Sequence, residues 1–148
     1  MHCIFCRFAL GQGQQHANGL PFLILRETTD TLTFLSAYQP KTTAGHILVI
    51  PKKHSHYLEE IEEKARHVLI DEIVFISALV RSLHPASNIL LNNGREAGQH
   101  EPHVHFHVIP REIDDHLVVD SEPGSPLSEA EFFSLHQQYS KLLNSVLS

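Results

Sequence analysis

The sequence predicts an α+β fold: an antiparallel sheet of about five strands carrying one long helix, with an additional helix at the C-terminus. Three observations predict it. Short apolar runs bounded by turn residues recur at five places, one long stretch repeats its apolar residues at helical spacing, and a capped amphipathic segment closes the chain.

The first strand is expected at residues 20–25, with Pro21 near its start, where a missing N–H is tolerated. Residues 31–36 follow after a turn; they are rich in β-formers and partly alternating. Loop residues 39–45 precede His46 and the apolar run Ile47, Leu48, Val49, Ile50, which Pro51 closes as a buried strand. Leu58, Ile61, Ala65, Val68, Leu69, Ile73, Ile76, Val80 and Leu83 then recur as one face of a long helix ended by Pro85. Glu59, Glu60, Glu62 and Glu63 crowd its start, where the helix dipole favours carboxylates. Ile89, Leu90 and Leu91 read as a fourth strand, residues 92–99 as a glycine-containing loop, and residues 103–109 as the last strand. Residues 121–126 look like a linker. Ser128 and Glu131 have capping-box spacing, and Phe132, Leu135, Tyr139, Leu142 and Val146 form the apolar face of the helix they open.

At 148 residues the chain has the size of one domain with a real core. No apolar run approaches the roughly 18 residues of a membrane span, and the N-terminus lacks a secretory pattern. A cytoplasmic protein with reduced thiols is therefore expected. The formal charge is −6, and only 11 lysines and arginines are scattered over the chain, which argues against general nucleic-acid binding. Histidines number 13 and outnumber those cations, so their placement carries the functional information.

That placement centres on His103-Val104-His105-Phe106-His107-Val108-Ile109. Strand side chains alternate, so His103, His105 and His107 share one face about 6–7 Å apart, while Val104, Phe106 and Val108 anchor the other. Imidazole near neutral pH can be nucleophile, proton donor or hydrogen-bond partner of a phosphate oxygen, so three in a row suit attack on phosphorus. Cys3 and Cys6, the sole cysteines, stand at C-x-x-C spacing. That spacing alone leaves open a redox pair, two inert thiols or a half-built metal site.

Taken together, Cys3-Ile4-Phe5-Cys6, the run from Gly45 to His54, Asn92-Asn93-Gly94, Ala97-Gly98-Gln99 and the histidine run closing in Ile109-Pro110-Arg111 resemble the histidine triad (HIT) family, in its Hint-like branch with an N-terminal cysteine pair. The resemblance covers most of the chain, from Cys3 to Arg111. It implies a nucleotide-binding catalytic domain over residues 1–112; the residues 113–148, outside the resemblance, are read from their own pattern as a linker and a C-terminal helix packed on the same domain or on a dimer partner. It implies His105 as the nucleophile on the α-phosphorus of a purine nucleotide, His107 as a phosphate contact, and His46 as support from the neighbouring strand. Asn92, Gly98 and Gln99 would line the phosphate and leaving-group side. It also implies a structural zinc held by Cys3, Cys6, His54 and His103, with His100 or His2 as alternative fourth ligands, no organic cofactor, and a homodimer.

Two departures stand out. Relatives carry a carboxylate for the ribose near residues 34–38, where this chain offers Ser36; His100 and Glu101 replace a small polar residue and an apolar one. The expected activity is hydrolysis of nucleoside phosphoramidates or dinucleoside polyphosphates through a nucleotidyl-histidine. The alternatives are a transferase or phosphorylase, a non-catalytic nucleotide sensor, and a catalytic metal site on the histidine strand.

Overall fold

A computed structural model describes residues 3–40, 42–119 and 127–148 of the chain. Helix α1 (Ile4–Ala9) leads to strands β1 (Ile24–Glu27), β2 (Thr31–Leu35) and β3 (Ile47–Pro51), helix α2 (Glu63–Arg81), strands β4 (Ala86–Leu91) and β5 (Phe106–Arg111), and helix α3 (Glu129–Leu147). The strands form one antiparallel sheet in the order β1-β2-β3-β5-β4.

The two faces of the sheet follow from strand alternation. Leu35, Ile47, Val49, Phe106 and Val108 point to the helix side, where Leu69, Ile73, Ile76 and Val80 of α2 and Phe132, Leu135, Tyr139 and Leu143 of α3 close one core. Leu32, Phe34, Leu48 and Ile50 point the other way and are covered by Cys3, Phe5 and Phe8 of the N-terminal segment. Ser128 and Glu131 make the expected capping box, Ser128 Oγ accepting from the Glu131 amide at 3.3 Å. His136 donates to the free Ile24 carbonyl at 2.7 Å, so α3 also satisfies part of the β1 sheet edge.

Several boundaries differ from expectation, each for a local reason. The N-terminus forms α1, six residues that carry no helical repeat long enough to read. The first strand starts at Ile24, because residues 14–22 fold into their own small hairpin, with His16 donating its amide to Leu20 O at 2.8 Å. The long helix begins at Glu63. Leu58–Glu60 is a separate 3₁₀ turn, capped by Glu60, which accepts from the His56 and Tyr57 amides. In α3 the buried stripe runs through Leu143, leaving Val146 exposed where the core ends. The linker expected at 121–126 lies outside the described residues. A half-buried ion pair had no sequence signal: buried Glu72 of α2 meets Arg26 and accepts from Thr33 Oγ1 at 2.9 Å, and Arg26 lies over the Phe75 ring.

His16 is packed among Phe8, Phe22, Phe34 and Phe132, and its Nε2 has no hydrogen-bond partner among the described residues. Burial lowers its pKa from 6.5 to about 4. The fold therefore resists a proton that the unfolded chain accepts, so the stabilising term is complete above pH 6.5 and disappears as pH falls toward 4. Its size is on the order of 3 kcal/mol. Urea denaturation of His16→Phe should show a flatter loss of stability between pH 6.5 and 4 than the parent; identical acid slopes would contradict this reading of the cluster.

Candidate functional site

The regular ladder of β5 starts at Phe106, later than the sequence suggests: Phe106 pairs with Val49 of β3 and with Leu91, the last residue of β4, and neither ladder continues to residues 103–105. Val104 instead donates to Ser55 O at 2.8 Å, and the alternation persists. Val104 stays in the helix-side core, while His103, His105 and His107 face the side covered by α1.

Hydrogen bonds to carbonyls set the state of each imidazole. A carbonyl can only accept, so the ring nitrogen bonded to it carries the hydrogen, and in the neutral ring the other nitrogen is bare. His105 Nδ1 donates to the His103 carbonyl at 2.7 Å, which leaves its Nε2 with a lone pair. His46 Nδ1 donates to Tyr38 O at 3.1 Å, so its Nε2 accepts from His107 Nδ1 at 2.9 Å. His107 Nε2 is then bare, buried and unpartnered among the described residues. The His105 and His107 rings lie 4.9 Å apart, and those of His46 and His107 5.1 Å apart. Burial pushes His105 below the ordinary imidazole value, His46 to about 4 and His107 to about 2, with like-charge repulsion among the histidines adding to the shifts. All three rings are therefore neutral near pH 7.

Cys3, Cys6, His54 and His103 bring their ligand atoms within 4.8 Å of one another. Cys3 and Cys6 Sγ each lie 3.5 Å from His103 Nδ1, and Cys6 Sγ lies 3.2 Å from His54 Nδ1. A tetrahedral ion with bonds of about 2.0–2.3 Å needs sulfur–nitrogen edges of about 3.5 Å. His103 Nε2 donates to Pro51 O at 2.8 Å, which turns the lone pair of Nδ1 toward the sulfurs, as an outer-sphere carbonyl does in metal sites. Burial and the Cys3 thiol push Cys6 up to about 11, a bias that a cation would reverse. The residues fit a metal. Among the described residues no other such donor cluster forms, His100 stands exposed outside it, and His2 lies outside the described residues. Phe5, between the two cysteines in sequence, meets His105 edge-on at 5.2 Å.

The remaining candidates are distributed around this core. Leu90 pairs with His107 and Leu91 with Phe106; continuing that register sets Asn92 opposite His105. Asn92 Nδ2 donates to Gly98 O at 3.3 Å, and Gly98 has φ +87, so both shape the loop. The Gln99 side chain is buried as a brace, accepting from the Gly94 amide at 2.7 Å and donating to His56 O at 3.0 Å. His100 is exposed, and repulsion between it and these two histidines is the smallest contribution to the lowering of His105 and His107. Ser36 is buried, with Oγ accepting from the Tyr38 amide at 3.3 Å. Sequence reasoning missed Gln39, a loop residue with no motif, which is buried against the backbone of His46.

This arrangement of strands and histidines has close parallels. A family model described as the HIT domain matches residues 22–114. The chain belongs to that family. Over 141 residues it is 33% identical to the protein named adenosine 5'-monophosphoramidase hnt1 of Schizosaccharomyces pombe, covering 95% of this chain and 97% of the relative. It is 34% identical over 143 residues to adenosine 5'-monophosphoramidase HNT1 of Saccharomyces cerevisiae, covering 95% and 80%. A Zn-bound histidine triad family protein from Mycobacterium smegmatis superposes with a TM-score of 0.75 at 28% identity, covering 98% of each chain. Helix α3 lies beyond the stretch matched to the HIT model. Among the described residues of this HIT protein, no helix is long and apolar enough to cross a membrane.

The sulfur–imidazole cluster gives a direct test. Cobalt(II) added to the metal-free protein should produce the intense visible absorption of a tetrahedral ion with two thiolates, and Cys6→Ser should weaken it strongly. Only the pale spectrum of an octahedral oxygen site would contradict the arrangement.

Proposed function

We propose that this HIT protein hydrolyses a purine nucleoside 5'-phosphoramidate through a covalent nucleotidyl intermediate on His105. The observation that carries the reading is the 2.7 Å bond from His105 Nδ1 to the His103 carbonyl, which aims a bare Nε2 away from the backbone. The names of the two yeast relatives support the substrate class.

In the first step the Nε2 lone pair of His105 forms a bond to the α-phosphorus as the P–N bond breaks. The departing amine takes a proton from solvent on the open side, where exposed His100 stands. Water then attacks phosphorus, the His105–phosphorus bond breaks, the nucleoside monophosphate leaves, and the water proton passes to solvent. His107 meets a phosphate oxygen with Nε2. Burial keeps that nitrogen unprotonated in the free site, whereas an adjacent anion favours the proton and makes a charge-assisted bond. His46 holds His107 in this orientation. Asn92, Gly98 and the Gln99 backbone form the leaving-group side, and Ser36 the ribose side. Dinucleoside polyphosphates present the same α-phosphorus and are the alternative substrates. Zinc bound by Cys3, Cys6, His54 and His103 would cross-link the N-terminus, the β3 end and the histidine segment, a folding role. The outer edge of β4 and the exposed Ile89 support a homodimer that covers this edge.

Adenosine phosphoramidate should be converted to AMP by the parent, with kcat/KM lower by about three orders of magnitude or more in His105→Ala, which lacks the nucleophile. Parent-level turnover by the variant would overturn the assignment. Tight AMP binding without turnover by the parent would favour the sensor reading.

A further inference from the structure

Gln39 is 1% exposed, and its amide makes four bonds to backbone, three of them to Gly45 and His46. Its Oε1 accepts from the Gly45 and His46 amides at 2.7 and 2.8 Å. Its Nε2 donates to the Ser36 and His46 carbonyls at 2.8 and 3.0 Å. The Ser36 amide donates to the same His46 carbonyl at 2.9 Å, so both polar backbone atoms of His46 are fixed. Two consecutive amides reach one oxygen here with Gly45 at φ +127. Where a Cβ on Gly45 would stand, the Tyr139 hydroxyl lies 2.4 Å away and Pro110 Cγ 3.1 Å, so α3 closes the remaining space.

We propose that Gln39 is a positioning residue that sets the ring orientation and tautomer of His46 and, through it, of His107. The His46 ring spans Tyr38 O and His107 Nδ1, at 3.1 and 2.9 Å. Tyr38 directly precedes Gln39, and Ser36, whose carbonyl Gln39 also holds, lies two residues before Tyr38. One carboxamide thus fixes both the segment that supplies the acceptor and the segment that supplies the ring. If the clamp is released, the His46 backbone can shift, and His46 can place its hydrogen on Nε2, where it would face the Nδ1 hydrogen of His107. A change of that kind costs orientation at the phosphate contact, and displacement on the order of 1 Å costs about 10²-fold in rate. The consequence for turnover rests on the catalytic reading above; the consequence for the tautomers does not.

Long-range ¹H–¹⁵N NMR of the imidazoles separates these claims. The parent should show a single Nδ1–H tautomer for His46 and for His107. Gln39→Met removes all four bonds, and both tautomers of His46 should then be populated. Its kcat on adenosine phosphoramidate should fall about 10- to 100-fold, with KM changed less than about threefold. Gln39→Glu keeps the two accepted bonds and loses the two donated ones, so it should lie between, and it carries the same readout should Gln39→Met not fold. Thr33→Val, which removes the hydroxyl bonded to Glu72 on the opposite face, should lower stability without mixing tautomers. Single tautomers and parental kcat in both Gln39 variants would overturn the proposal and leave the catalytic reading intact. Mixed tautomers in the variants of a chain that shows no turnover would uphold the positioning role and refute the catalytic reading.

Discussion

A neutral imidazole is ambiguous until an acceptor fixes which of its nitrogens carries the hydrogen, and in this protein backbone carbonyls do so. The His103 carbonyl holds His105 Nδ1, Tyr38 O holds His46 Nδ1, and Pro51 O holds His103 Nε2. Each bond leaves the opposite nitrogen bare. His103 turns Nδ1 to two sulfurs, His46 turns Nε2 to His107, and His105 keeps a bare Nε2. His103 and His105, chemically equivalent side chains two residues apart along one segment, thus carry their hydrogens on different ring nitrogens without any difference in their own covalent structure.

Those carbonyls can serve only while the backbone stays in place, and the fold supplies that rigidity from both faces. On the helix side, Val104, Phe106 and Val108 lock the segment into the core with α2 and α3. On the other side, α1 is tied down through Cys3 and Cys6 and lays Phe5 against the rings of His103 and His105. The cysteine–histidine cluster and His105 therefore share one aromatic contact. Helix α3, outside the stretch matched to the family model, reaches the same site through Tyr139 behind Gly45.

What could be read in the sequence was what depends on periodicity and on short-range chemistry. Alternation over residues 103–109 gave the shared face of the three histidines even though the regular ladder is shorter, because the apolar anchors Val104 and Phe106 enforce the alternation by burial. The Ser128–Glu131 cap and the apolar stripe of α2 were equally legible, being local. Tertiary partners were not. Gln39 sits in a loop composition that predicts only a turn, and its role arises from a backbone seven residues away curling onto its amide. Glu72 occupies an inner-face helix position and is compatible with burial only because Arg26 and Thr33 come from two other strands. Helix α1 is too short for a periodic signal and is held by contacts distant in sequence.

Whether the His103 carbonyl, by holding Nδ1, makes Nε2 of His105 the nucleophile is decided by the site of covalent attachment. Rapid acid- or base-compatible quenching of the protein with adenosine phosphoramidate, followed by peptide mapping and NMR of the modified ring, identifies both the residue and the nitrogen. AMP should appear bonded to Nε2 of His105, formed and consumed at rates that match turnover. Attachment through Nδ1 or on another histidine, or turnover with no adduct at any time, would contradict it.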